Sequence, residues 1–527
     1  MKKIRGLCSV LFLVFWMTVF SITPCLAAPR KPKLVVALAV DQFRYDYSTR
    51  FRADYHAGIA RLLEHGAVFT DARYVQFPTV TAIGHSTFMT GATPSVSGII
   101  GNEWFDRGTN RPVTSVSDAT TLLLGGAPKA TGSSPNRLLV STFSDELKMA
   151  GKSGKVIGIS IKDRSSILPS GHMADAAYWF DNDSNHFVSS SYYMKELPPW
   201  VAQVNHDGLI RKYLGATWSA VDAKPGDKPF CSMTAGTELR FCGPIEPTAF
   251  GNELLEDFAE KAIEHEALGT HQGTDVLALS FSANDYVGHA LGPDAPEVRD
   301  ISIRTDQLIG KLLDFIDARV GAGNTLVVFT ADHGVAPVPE VNRARKMPGG
   351  RLDSAVISQA IGNALSSKFG KGDWFVADNS GFFYLNYETV KKNNADASEV
   401  RRFAAETARG LPHIARAYTS DELLRGQGAA SGDFVGRAVQ FGFYGARSGD
   451  LVVVPEPYYM FSAQGTTHAA PFSYDTHVPL IFYGTGIHAG IHHEPVTVND
   501  VAPTLAAIFE VETPSGSSGR ILSTVFE

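Results

Sequence analysis

Two kinds of apolar pattern alternate along this chain, and the alternation predicts its fold. Leu34–Val40 is a continuous apolar run, and Lys155–Ile161, Asp275–Phe281, Thr325–Thr330 and 478–483 are mainly apolar stretches of strand length. A run of strand length without polar alternation fits a strand buried on both faces, as in a parallel sheet. Between the runs, apolar residues recur at helical spacing: in 56–66, at Leu254, Leu255, Phe258 and Ala262, at Leu308, Leu312, Leu313 and Ile316, and from about Asp500 to Phe509. Strands alternating with helices predict an α/β fold, with a doubly wound, mainly parallel sheet flanked by helices. Three stretches interrupt that rhythm. Residues 103–150 begin Gly/Thr/Ser-rich with weak periodicity, 182–250 are irregular and rich in Pro, Gly and aromatics, and 336–465 are mixed. These read as insertions or cap segments that shape the mouth of a pocket.

The polar residues that matter sit where the apolar runs stop. In parallel sheets, ligands collect at the C-terminal ends of strands. The first run delivers Asp41, the second Lys162 and Arg164, the third Asp285 and His289, and the fourth Asp332 and His333. Thr81 lies in Thr79–Gly91, a loop that carries a hydroxyl and runs into a short helix which Gly91 can close. An anion is favoured there by unpaired backbone N–H groups and the helix dipole. Each element alone has a bland reading: Thr81 as an N-cap, Asp285-x-x-x-His289 as an exposed helical ion pair, Asp332-His333-Gly334 as a capped turn. Their coincidence at four strand ends is more specific. With His468 they make three aspartates and three histidines, a mixed imidazole and carboxylate set that favours zinc over magnesium or calcium. His477 competes for the place of His468. The loop Gly465-Thr-Thr-His468 favours the latter, because His477 abuts a strand and reads as a packed core residue.

Composition narrows the class. The 527 residues are 44% hydrophobic and 19% charged, ordinary for a globular protein. Residues 1–28 read as a secretory signal: Lys2, Lys3 and Arg5, then an apolar run from Leu7 to about Ile22, then Ala27-Ala28. Loss of those three cations takes the net charge from −7 to −10, which argues against a nucleic-acid or anionic-membrane partner. No later stretch approaches the roughly 18–20 apolar residues of a spanning helix. A periplasmic or secreted protein is expected, with residues 29–527 as its catalytic domain. Cys231 and Cys242, the pair left after the leader, are expected to close a short structural disulfide.

Taken together, Val-Asp41-Gln-Phe-Arg-Tyr-Asp, Thr81-x-x-Gly-His, Gly-Ile-Ile-Gly-Asn102, Ser-Ile-Lys162-Asp-Arg164 and Thr-Ala-Asp332-His333-Gly resemble the alkaline phosphatase superfamily. The likeness is greatest to the monomeric bacterial alkaline phosphatases with a Lys-x-Arg pair, and it spans roughly residues 34 to 484. The resemblance implies two zinc ions, one on Asp285, His289 and His468, the other on Asp41, Asp332, His333 and the Thr81 oxygen. It implies Thr81 as nucleophile, with Asn102, Lys162 and Arg164 as catalytic groups on the phosphoryl oxygens. Paired ions can clamp the entering and leaving oxygens of an in-line displacement and activate a hydroxyl without a histidine base. A cluster this cationic matches a phosphate monoester dianion better than a diester. The expected activity is therefore zinc-dependent hydrolysis of small-molecule phosphate monoesters through a phosphothreonine, by a monomer. Its rivals are a phosphodiesterase or nucleotide pyrophosphatase on the same scaffold and, more remotely, a non-catalytic zinc-binding surface protein. A sulfatase is disfavoured because no Cys/Ser-x-Pro-x-Arg segment surrounds Thr81.

Overall fold

The computed structural model describes residues 31–213, 215–233, 243–429 and 432–526, and Lys31–Glu527 forms one compact unit. The proposed leader, 1–28, lies outside the described residues. Eight strands build the centre: β1 (Leu34–Val40), β2 (Ala67–Arg73), β3 (Ser153–Ser160), β4 (Ala176–Asp181), β5 (His186–Ser190), β6 (Thr274–Phe281), β7 (Thr325–Thr330) and β8 (His477–Gly484). They lie side by side in the order β2-β8-β7-β1-β6-β3-β4-β5. From β7 through β4 all pairings are parallel, and β1, β6 and β7 are buried along their whole length. Helices on both faces explain why these strands are mainly apolar. The fold is the mainly parallel, helix-flanked sheet that the pattern predicts.

Register sets the site. Val40 pairs with Phe281, Ala39 with Thr330, and Ser280 with Ser160, so four neighbouring strands end level. Asp41, Lys162, Asp285 and Asp332 leave the sheet at one rim. Three helices carry further site residues: α1 (Thr81–Thr90), α2 (Asp163–Ser170) and α3 (Ala283–Leu291). Gly91 ends α1 in a left-handed conformation, φ 66°.

The structure departs from the pattern in four places. Strand β8 runs antiparallel to both β7 and β2, a direction its apolar run cannot encode. Residues 103–136 contain short antiparallel strands, among them the hairpin Glu103–Asp106/Arg111–Thr114; four-residue strands are too short to show periodicity. In 182–250 the chain adds strand β5, paired with β4 on one side and with Ser117–Leu124 on the other, and a helix, Pro199–Asp207. That helix carries prolines at its start, where no backbone donor is needed. The ring of Phe187 on β5 stacks on Phe258 at 3.7 Å, so this segment is ordered by packing that its composition hides. Within 336–465, four strands in the order Phe375–Asn379, Phe382–Leu385, Leu451–Pro455 and Ile414–Thr419 form a separate antiparallel sheet. It has its own core, including Ile361, Trp374, Phe383, Val400 and Val453. Cys231 is disulfide-bonded; Cys242 lies outside the described residues.

Candidate active site

At the rim, two groups of potential metal ligands converge: Asp285, His289 and His468, and Asp41, Asp332 and His333. The groups adjoin. Lys162 Nζ lies 2.5 Å from Asp41 Oδ2 and 2.6 Å from Asp285 Oδ2, and the His333 and His468 rings stack at 3.5 Å. Thr81 begins α1 and is buried, with its Oγ1 3.5 Å from His333 Nε2.

The donor set fits divalent metal ions. Each histidine commits Nδ1 to a backbone carbonyl: His289 to Thr466 at 2.9 Å, His333 to Gly334 at 2.9 Å and His468 to Thr79 at 2.7 Å. A carbonyl only accepts, so Nδ1 carries the proton and Nε2 faces the site. The Nε2 atoms of His289 and His468 approach to 3.2 Å, and two lone pairs that close require a proton or a metal ion between them. In the second group, Asp41 Oδ1 and Asp332 Oδ2 are buried without a hydrogen-bond partner. Buried carboxylate oxygens of this kind are costly unless a cation serves them.

The electrostatics follow from who neighbours whom. Burial, then Asp332, lifts the Asp41 pKa to about 7, although Lys162 pulls the other way. Burial also opposes ionisation of Asp285, but His289 and Lys162 outweigh it and hold its pKa well below the ordinary value. The same Lys162 serves both carboxylates; the difference lies in their second neighbours, an anion for Asp41 and an imidazole for Asp285. Burial disfavours a charged Lys162, yet Asp285 and Asp41 raise its pKa above the normal range. For His289, Asp285 overcomes burial and lifts the pKa to about 9. Burial brings His333 down to about 4 and, with His333 and His289 nearby, holds His468 well below its usual value.

A cavity of about 560 Å³ opens onto the ligand groups, lined there by Asn102, Arg164, His289 and His468. Asn102 Oδ1 accepts the Ala82 N–H at 2.8 Å, which ties it to the first turn of α1 and leaves its amide N–H groups free of that bond. Arg164 is one-quarter exposed, and its buried Nε has no hydrogen-bond partner. Of the two basic residues, Arg164 thus faces the cavity, while Lys162 lies beneath it between the carboxylates. His477 sits apart from both groups: its Nε2 hydrogen-bonds to the Thr70 carbonyl and its ring stacks on Tyr45.

A family model described as type I phosphodiesterase / nucleotide pyrophosphatase matches residues 35–477. The chain belongs to this family, within the alkaline phosphatase superfamily. It is 34% identical over 529 residues to a Myroides odoratus protein named calcium-transporting ATPase, covering 94% of this chain and 95% of that one. It is 33% identical over 525 residues to alkaline phosphatase PafA of Elizabethkingia meningoseptica, covering 95% of each. The crystal structure of wild-type alkaline phosphatase PafA superposes with a TM-score of 0.88 at 31% identity, over 95% of this chain and 100% of that one.

In this member of the superfamily several residues to which the sequence assigns no role support the site. Gln42 adopts φ 62°, donates from Nε2 to Asp285 Oδ1 at 2.6 Å and from its backbone to Asp332 Oδ1 at 3.0 Å, and so links the two ligand groups. Its neighbour Asp41 was the only signal. Buried His85 binds the Thr81 carbonyl through Nδ1 and Ser280 Oγ through Nε2. Buried Asp475 accepts the Ala470 N–H at 2.7 Å, steadying the loop after His468, and burial holds its pKa well above the carboxylate range. Gly84 lets α1 press on the Asp332 turn: a Cβ there would lie 2.2 Å from the Asp332 carbonyl oxygen.

Proposed function

We propose that this chain is an exported, zinc-dependent phosphomonoesterase that works through a covalent phosphothreonine on Thr81. The observation that carries the reading is the convergence of a buried hydroxyl with two three-residue ligand groups at the sheet rim, beneath a cavity lined by Arg164, Asn102, His289 and His468. The ligand groups would hold two zinc ions, and these would supply Lewis acidity that lowers the pKa of the Thr81 hydroxyl and offsets charge on the leaving oxygen.

The chain's own residues do the rest. Thr81 Oγ1 gives up its proton to solvent and attacks phosphorus, the bond to the ester oxygen breaks, and the departing alkoxide takes a proton from water to leave as the alcohol. Arg164 pairs with two non-bridging oxygens, and the Asn102 amide donates to a third. The first amides of α1 face the same group. Water then attacks phosphorus, which restores the Thr81 hydroxyl and releases inorganic phosphate. The Myroides relative's name points to ion transport; the gathering of hydroxyl, guanidinium and ligand groups on a cavity favours hydrolysis. The family description keeps a phosphodiesterase as the rival.

The test compares an aryl phosphate with its methyl diester, before and after Arg164→Ala. A monoesterase prefers the former, and the substitution lowers its kcat/KM about 100-fold or more while touching the diester far less. Preference for the diester, or equal losses on both, refutes the reading. Acid-quenched turnover supplies a second check, since the peptide containing Thr81 must carry a phosphoryl group. Export is supported by the basic-apolar start of the sequence and by the disulfide at Cys231. N-terminal sequencing of the native protein should begin near residue 29.

A further inference from the structure

A phosphoryl group fills only a small part of the 560 Å³ cavity. The remaining wall is of another character. It is contributed mainly by the inserted antiparallel sheet and the segment after it, through Phe382, Tyr459, Met460 and Phe461, and faces Trp104 on the hairpin after Asn102. Asn379 Nδ2 and the Glu103 carbonyl, 3.4 Å apart, join the two insertions beside the cavity.

Phe382 and Phe461 are both half-buried cavity residues, and each is braced from behind. Phe382 stacks at 5.7 Å on the fully buried Phe77. Phe461 packs over Gly381, where φ is 97° and a Cβ would come within 3.1 Å of Phe461 Cε2 and 2.5 Å of the Val453 carbonyl. Any side chain at 381 would push this ring away from its neighbour. Trp104 is itself held by the guanidinium groups of Arg447 and Arg137, 5.3 and 5.8 Å from its ring. Aromatic faces cannot serve the phosphate dianion, which Arg164 and Asn102 already accommodate. What they can serve is the alcohol on the other side of the ester oxygen.

We propose that Phe382 and Phe461 form the leaving-group subsite, and that it selects monoesters whose alcohol bears a planar or apolar body over those of small alcohols. This rests on the phosphomonoesterase reading above. The two rings set specificity and stay clear of the reacting atoms.

Phenethyl phosphate and ethyl phosphate test this, because both release a primary alcohol and differ only in the aromatic body. The wild-type ratio of kcat/KM, phenethyl over ethyl, should be about tenfold or more, as expected for a ring stacked on one or two aromatic walls. Phe382→Leu and Phe461→Leu keep apolar volume and lose the flat face, and each should bring the ratio several-fold closer to one. Because the readout is a ratio within one variant, a general loss of folded enzyme leaves it interpretable. Inhibition by phenethylphosphonate against ethylphosphonate reports the same subsite without turnover, and its ratio should fall in parallel. A wild-type ratio near one, or a ratio that neither substitution moves, overturns the subsite alone. Failure to hydrolyse either ester while a diester is cleaved overturns the monoesterase reading and this inference with it.

Discussion

Lys162 offers the sharpest test of how the site is balanced. Its ammonium is 2% exposed and touches one carboxylate oxygen from each ligand group, so in metal-free protein it is the cation those groups share. Lys162→Met preserves most of the stem and deletes the charge. Removing one partner of a buried ion pair costs about 3–5 kcal/mol. Asp285 keeps His289 Nε2 at 3.2 Å as a second cation, which places the cost toward the lower end. An unfolding entropy of about 2.1 cal/mol/K per residue gives roughly 1 kcal/mol/K for a chain of about 500 residues, so the loss amounts to about 3 °C in Tm. With zinc bound, the carboxylates have other counter-charges, and the lysine's removal relieves a cation beside them. The shift should then shrink to less than about 1 °C or reverse. Differential scanning calorimetry of both proteins, with chelator and then with zinc, measures all four values. Equal losses in the two states, or none in the chelated state, would refute the idea that lysine and metal compete for the same two carboxylates.

Other consequences are simpler. Gly84→Ala should gain up to about 1 kcal/mol in intrinsic helix propensity, yet the Cβ collides with the Asp332 carbonyl, so Tm should fall and monoester kcat/KM drop about 100-fold; a variant more stable and equally active would contradict the close approach. Chelation should abolish turnover and zinc restore it, with about two metal equivalents per chain by elemental analysis and about one in Asp285→Ala; undiminished activity in metal-free protein would end the two-ion reading. His172 donates from Nδ1 to Asp145 and from Nε2 to the Leu138 carbonyl, and the Asp145 hydrogen bond raises its pKa. Its folded pKa lies above the unfolded value of about 6.5, so its contribution is full below that value and is lost as pH rises through the folded pKa. His172→Phe should therefore lower the urea midpoint clearly near pH 6 and little near pH 9, and equal losses at both would rule out a charged clamp.

How much of this was legible depends on how locally each feature is encoded. Leu34–Val40 and Thr325–Thr330 declare themselves as interior strands because the run between their ends shows no polar alternation, as covering of both faces requires. Asp41 and Asp332 stand out because a polar residue directly after such a run has left the sheet. The direction of β8 was not legible, since an apolar run reads the same in either sense. Nor was Gln42: its φ of 62° is the kind of position glycine usually signals, and here a side chain that must reach Asp285 occupies it. Gly84 was visible as a helical glycine but not as a contact, because the Asp332 turn it meets lies some 250 residues away in the chain.

That contrast separates chemistry from specificity in this fold. Asp41, Lys162, Asp285 and Asp332 are fixed by strand ends in register and Thr81 by the first turn of α1, so each survives as a short motif. Phe382 reaches the cavity through the pairing of an inserted sheet whose strands carry weak periodicity, and Phe461 through the segment that follows that sheet. Phe382 pairs with Val452 there, and a slip of one residue would turn its ring to the opposite face and present Phe383 instead. A sequence that keeps every motif of the rim can therefore change its alcohol preference by altering the register or length of that insertion. The same argument requires that substitutions in the insertion alter the phenethyl-to-ethyl ratio, whereas Arg164→Ala, which acts on the group common to both esters, lowers the two rates together.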